Sequence, residues 1–89
     1  MNNLGLAYRA SKLEYGTTNV IKSIQNKQAK LVIIASDASD NTKKKIINKC
    51  IYYDVDYKIQ FLSTEISKAI GKKNIMVISI LDSGFKNIL

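Results

Sequence analysis

Leu31-Val32-Ile33-Ile34-Ala35 is an unbroken apolar run rich in β-branched residues. A run of this kind suits a central strand covered on both faces, so helices must lie on both sides of a sheet. Working outward, residues 17–27 read as a helix: at about 100° per residue, Thr17, Val20, Ile21 and Ile24 fall on one stripe. An earlier helix fits residues 4–13, with Leu6, Ala10 and Leu13 facing one way, and Glu14-Tyr15 forms a short extended piece before Gly16.

Beyond the strand, Ser36-Asp37-Ala38-Ser39-Asp40-Asn41 is dense in residues that cap helices and form side-chain turns. A third helix follows, from Asn41 or Thr42 to Tyr52, with Ile46, Ile47, Cys50 and Ile51 as its apolar stripe and Lys43, Lys44, Lys45 and Lys49 toward water. Residues 57–61 alternate strictly, which predicts a strand near a sheet edge with one buried side. Ser63 or Thr64 caps a short fourth helix carrying Ile66, Ala69 and Ile70, and Gly71 ends it in a left-handed conformation. A second buried strand over residues 75–81 precedes a final helix capped by Asp82-Ser83 and anchored by Phe85, Ile88 and Leu89. This alternation of helices and strands implies an α/β protein, a three-layer α/β/α sandwich about a small sheet.

With 89 residues the chain is expected to form one domain over residues 1–89. Its 46% hydrophobic and 24% charged residues lie in the ordinary globular range. No apolar run approaches the roughly 18 residues of a transmembrane helix, and no secretion signal is evident, so a cytoplasmic location is expected. The charge is lopsided: 14 Lys+Arg against 7 Asp+Glu, a net charge of +7, with Arg9 the one arginine. Nucleic acid is the usual partner of such a chain, although surface lysines also serve solubility. A membrane surface is disfavoured, because each apolar stripe can be absorbed by a sheet.

Enzyme chemistry has little to work with. Histidine is absent, which removes the commonest general base and transition-metal ligand, and Cys50 is the one cysteine and falls on a helix's apolar side. Glycines at 5, 16, 71 and 84 make neither a dinucleotide fingerprint nor a P-loop, so no cofactor is expected. Asp37 and Asp40 follow a strand, but helix capping explains them more simply than a magnesium site.

Gly16-Thr17-Thr18-Asn19-Val20-Ile21-Lys22 is the segment that points to a ligand. Thr18, Asn19 and Lys22 cluster on the helix face opposite the apolar stripe. Gly16 lets another backbone approach, the free N–H groups of a helix start attract phosphate oxygens, and Lys22 adds a charge one turn further in.

Together with residues 29–38, Cys50 and Gly71, this segment resembles the ribosomal L-seven-Ae and L-thirty-e superfamily of kink-turn RNA-binding proteins, over nearly the whole chain. Leu4-Gly5-Leu6-Ala7, Asn41-Thr42-Lys43-Lys44, Asp82 and Gly84-Phe85 sharpen the resemblance to the short bacterial YlxQ-type branch. It implies a mixed four-stranded sheet, no catalytic activity, and a cytoplasmic, translation-associated protein that binds structured RNA, ribosomal or otherwise kink-turn-like, alongside ribosomal or translation-factor proteins. Gly16, Thr17, Thr18, Asn19 and Lys22 would read sheared G·A pairs, Thr18 and Asn19 standing at the family's Asn-Glu positions and Lys22 at its lysine. Gly71, Lys72, Lys73 and Asn74 would form the second contact, with Ser39 beside both and Lys43 on the third helix.

Two departures bear on selectivity. Asn19 stands where many members carry glutamate, whose acceptor-only carboxylate binds guanine donors more strongly than an amide. Lys72 and Lys43 stand at positions that are apolar in members with full kink-turn specificity, so weaker sequence selection and steeper salt dependence are expected. The alternative is a protein-interaction module within a translation complex, its lysines serving solubility.

Overall fold

The computed structural model describes residues 2–89. Nine elements alternate along it: α1 (Asn2–Arg9), β1 (Leu13–Tyr15), α2 (Thr17–Gln25), β2 (Leu31–Ile34), α3 (Asp40–Tyr52), β3 (Asp56–Ile59), α4 (Ser63–Ile70), β4 (Val77–Ile80) and α5 (Ser83–Ile88). The strands form one mixed sheet in the order β1-β4-β2-β3, parallel between β2 and β3 and antiparallel at the other two pairings. Helices α2 and α3 pack together on one side, and α1 packs with α4 and α5 on the other. The α/β sandwich and its four-stranded mixed sheet are as expected.

The two central strands explain the layering. Every residue of β2 and of β4 is buried, which requires a helical layer on each face. Val20 and Ile24 from α2, Ile46 and Cys50 from α3, Leu4 and Ala7 from α1, and Ile66 and Ile70 from α4 supply those layers. Within this core Ser79 of β4 meets Ser23 of α2, their hydroxyls 2.8 Å apart, while the Ser23 hydroxyl donates to the Val20 carbonyl at 2.7 Å. The pair leaves neither buried hydroxyl without a partner.

Several boundaries and faces differ from expectation. Helix α1 stops at Arg9, and Leu13 belongs to β1, so the helix buries Leu4 and Ala7 while Leu6 is 46% exposed. Ser11 causes the stop: at φ 59° it turns the chain left-handed, the Ser11 N–H bonding the Tyr8 carbonyl and the Lys12 N–H the Ala7 carbonyl. Lys27 at φ 60° ends α2 in the same way two residues past Gln25, and Asp54 at φ 58° ends α3. Ile51 points outward at 66% exposure and Ile88 at 57%, neither anchoring its helix.

The greatest departure is β3. All four of its residues are exposed, Tyr57 and Ile59 included, so the alternating pattern has no buried side. It is the last strand in the sheet, and the end of α5 meets it through polar contacts, Lys86 to Asp56 at 2.6 Å and the Lys58 ammonium to the Leu89 carbonyl at 2.7 Å, which leave Tyr57 and Ile59 exposed. The sheet therefore does not absorb every apolar stripe.

Candidate nucleic-acid interface

Strand polarity brings the separate segments to one end of the sheet. Tyr15 at the end of β1 pairs with Ile78, and Ile34 at the end of β2 pairs with Val77 at the start of β4. The Gly16 N–H bonds the Val77 carbonyl and the Ala35 N–H the Met76 carbonyl. Residues 16–22, 35–39 and 71–76 thus share one edge of the sandwich.

Gly16 sits at φ 87° and ψ 146°, a conformation reached almost only by glycine. An added Cβ would meet no atom within 4 Å, so the requirement is conformational and the space in front of the residue is open. Helix α2 starts without a side-chain cap. Thr18, Asn19 and Lys22 are exposed on its outer face, and Thr17 is half-buried. The Asn19 side chain turns back to the Tyr15 carbonyl at 3.3 Å. A carbonyl only accepts, so the amide nitrogen faces it and Oδ1 is left for a ligand.

The second segment is held from below. The Lys72 N–H bonds the Ser67 carbonyl at 2.8 Å, and the Ile75 N–H bonds the buried Ser67 hydroxyl at 2.9 Å. Gly71 at φ 70° and Asn74 at φ 58° make the two left-handed turns between these anchors. The Lys72 ammonium lies 5.4 Å from the Tyr15 ring centroid and 5.7 Å from that of Tyr8, and the two rings meet edge to face at 6.0 Å. The Tyr8 hydroxyl, and after it that of Tyr15, favours the charged ammonium and raises its pKa. Lys72 is therefore placed by β1 and α1, and Lys73 beside it is exposed.

Ser39 and Lys43 are engaged within the chain. The Ser39 hydroxyl caps α3, accepting from the Thr42 N–H at 3.2 Å and donating to the Thr42 hydroxyl at 3.0 Å. Lys43 donates to the Ser36 carbonyl at 2.8 Å, which turns its charge back onto the β2–α3 turn.

Asp37 serves a helix that sequence order does not suggest. Its carboxylate accepts from the Ser63 N–H at 2.7 Å and the Ser63 hydroxyl at 2.6 Å. Ser63 is the first residue of α4, and neither it nor Thr64 is the cap. Leu62 occupies the cap position without a polar side chain; Asp37 supplies the missing acceptor, and Glu65 accepts from the Leu62 N–H at 2.8 Å. The Ser63 hydrogen bonds hold the Asp37 carboxyl below the usual carboxylate range. Phe61, left-handed at φ 67°, completes this junction by accepting from both the Ser36 N–H and hydroxyl.

Residues 1–89 match the model of the Ribosomal protein L7Ae/L30e/S12e/Gadd45 family. The chain belongs to this family. Within the L7Ae family it groups with the YlxQ branch. It is 46% identical over 84 residues to the RNA-binding protein YlxQ of Bacillus subtilis (strain 168), covering 94% of this chain and 84% of that one. Identity to the RNA-binding protein YlxQ of Enterococcus faecium is 47% over 85 residues, covering 96% and 82%. A solved structure from Bacillus halodurans, of a protein of unknown function, superposes with a TM-score of 0.92 at 41% identity and covers 98% of this chain and 88% of its own. The Giardia lamblia 15.5kD RNA-binding protein shares the L7Ae fold, with a TM-score of 0.82 at 22% identity, covering 98% and 75%.

Tyr8, Tyr15 and Ser67 shape this end of the molecule and carried no functional signal in sequence, and Asp37, read there as a helix cap, caps a helix 26 residues further on. Each acts on a partner several to many residues away, with no periodic or motif-like spacing between them.

Proposed function

We propose that the chain is a non-catalytic RNA-binding protein of the cytoplasm, associated with the ribosome or translation, that works as a single domain on structured, kink-turn-like RNA. The observation that carries this reading is the convergence of the α2 start with residues 71–74 at one end of the sheet, each pre-formed by left-handed glycines and backed by buried anchors. The relatives of the YlxQ branch, described as RNA-binding proteins, support the same ligand class.

In this reading the open backbone at Gly16 admits a base pair edge, Thr17 and Thr18 line it, and Asn19 presents Oδ1 as an acceptor to guanine N–H donors. The tether from the Asn19 amide to Tyr15 orients that oxygen, partly restoring the acceptor character of a carboxylate. Lys22, Lys72 and Lys73 neutralise phosphates beside Gly71 and Asn74, and a net charge of +7 draws the polyanion in. Ser39 and Lys43 contribute by holding the adjoining turn, Lys43 adding its charge behind it.

Titration of a kink-turn RNA and an unkinked duplex of equal length tests this. The kinked RNA binds more tightly; Asn19→Ala weakens it by about tenfold and erodes the preference, as loss of a base contact does. Lys22→Ala weakens both RNAs and lowers the salt slope by about one. Equal affinities for the two RNAs, unchanged by either substitution, would overturn the proposal.

A further inference from the structure

A groove of about 990 Å³ runs between α1 and α4, lined by residues that include Leu6, Tyr8, Arg9, Lys68, Ala69 and Gly71. The helices approach this closely because residue 5 is glycine: a Cβ there would lie 3.0 Å from the Ala69 carbonyl oxygen. The floor is apolar and open, with Leu6 46% exposed. Arg9 and Lys68 stand exposed on the rim, and among the described residues neither is in an ion pair. Glu65, the acid in the lining, is drawn off to the Leu62 N–H. At Gly71 the groove passes into residues 71–74, so it continues the surface described above, with Tyr8 and its overlying Lys72 at the junction.

An apolar trough with an aromatic ring at its head and unpaired cations along its rim has the chemistry of a single-stranded nucleic acid site. Bases stack on the ring and phosphates follow the cations. We propose that this groove takes a single-stranded segment leading off the folded RNA, one base stacking on Tyr8 and the following phosphates meeting Arg9 and Lys68. The proposal rests on the RNA-binding reading above. Tyr15, edge-on to Tyr8, braces the stacking ring, and Lys72 moves from the ring faces to the incoming phosphate.

The test compares one kink-turn RNA in four forms: blunt, with a short uridine tail at one end, with the tail at the other end, and with an abasic tail at the favoured end. One uridine tail tightens binding about tenfold, as a base on an aromatic ring does, and the abasic tail by only a few fold. Tyr8→Leu removes the base-dependent gain. The double variant R9A/K68A removes the gain seen with the abasic tail and leaves the blunt RNA within twofold of wild type, which guards against a Tyr8 variant that merely misfolds. If the blunt RNA is preferred over an unkinked duplex but neither tail adds affinity, the groove proposal alone fails and an acidic peptide becomes the occupant to test. A tail gain unaltered by all three substitutions also overturns it. If the blunt RNA shows no preference, the underlying function fails with it.

Discussion

Left-handed residues punctuate this chain more than its glycines do. Ser11, Lys27, Asp54 and Gly71 each close a helix with the same pair of backbone hydrogen bonds, yet just one of the four is glycine. Side-chain-bearing residues in that region cost energy that glycine does not. Lys27→Gly, at an exposed site, is expected to stabilise the fold by about 0.5–1 kcal/mol in urea denaturation. Gly71→Ala destabilises it by about 1 kcal/mol. Gly16→Ala costs more, about 1–3 kcal/mol, because its φ and ψ lie in a region that a Cβ essentially forbids. A Gly16→Ala variant as stable as wild type would mean that the backbone relaxes there. Gly71 was legible in sequence as a helix stop; the other three were not, because lysine, serine and aspartate do not announce a left-handed turn.

Among the elements, α4 depends most on a distant residue. Its first N–H is satisfied by Asp37, 26 residues earlier, across the gap between two turns. The Asp37 carboxyl is held below its ordinary pKa by Ser63, so its contribution to stability is present at neutral pH and disappears as pH falls below about 4 through the lowered value. Asp37→Asn is therefore expected to lower the urea midpoint at pH 7, with the gap to wild type narrowing as the pH falls below the ordinary carboxylate range and through the lowered value. A constant gap across that range would mean that shape rather than charge does the capping. Strand β3 shows the converse case. Its alternation was legible and its position at an edge was read correctly, but a buried side needs apolar cover, and α5 meets this strand with Lys86 and the Leu89 carbonyl.

For the molecule as a whole, Cys50 offers a probe of cooperativity. It lies fully buried between α3 and the sheet, and burial pushes its thiol up to about 11. Both features suppress the thiolate that reacts. Labelling by a thiol reagent at pH 8 is expected to be slow in the native protein and to rise with urea along the same curve as the loss of circular dichroism. Labelling that precedes unfolding would reveal an independent opening of α3. The proposed RNA surface requires that the sheet remain intact, since its segments belong to separate elements held together by that sheet.

The order of elements, the doubly covered strands and the polar face of α2 are properties of local sequence, because hydrophobic periodicity and helix-start residues act over a few positions. The same local reading located Gly16, Thr18, Asn19 and Lys22 as a ligand face, and the family resemblance, not periodicity, added residues 71–74 to it. Packing in three dimensions was needed to settle that Asn19 turns its amide inward, that Tyr8 and Tyr15 lie beneath Lys72, that Asp37 caps α4 and that α1 and α4 enclose a groove. These depend on strand polarity bringing together residues far apart in the chain. No spacing along the sequence records which backbone group will end beside which side chain.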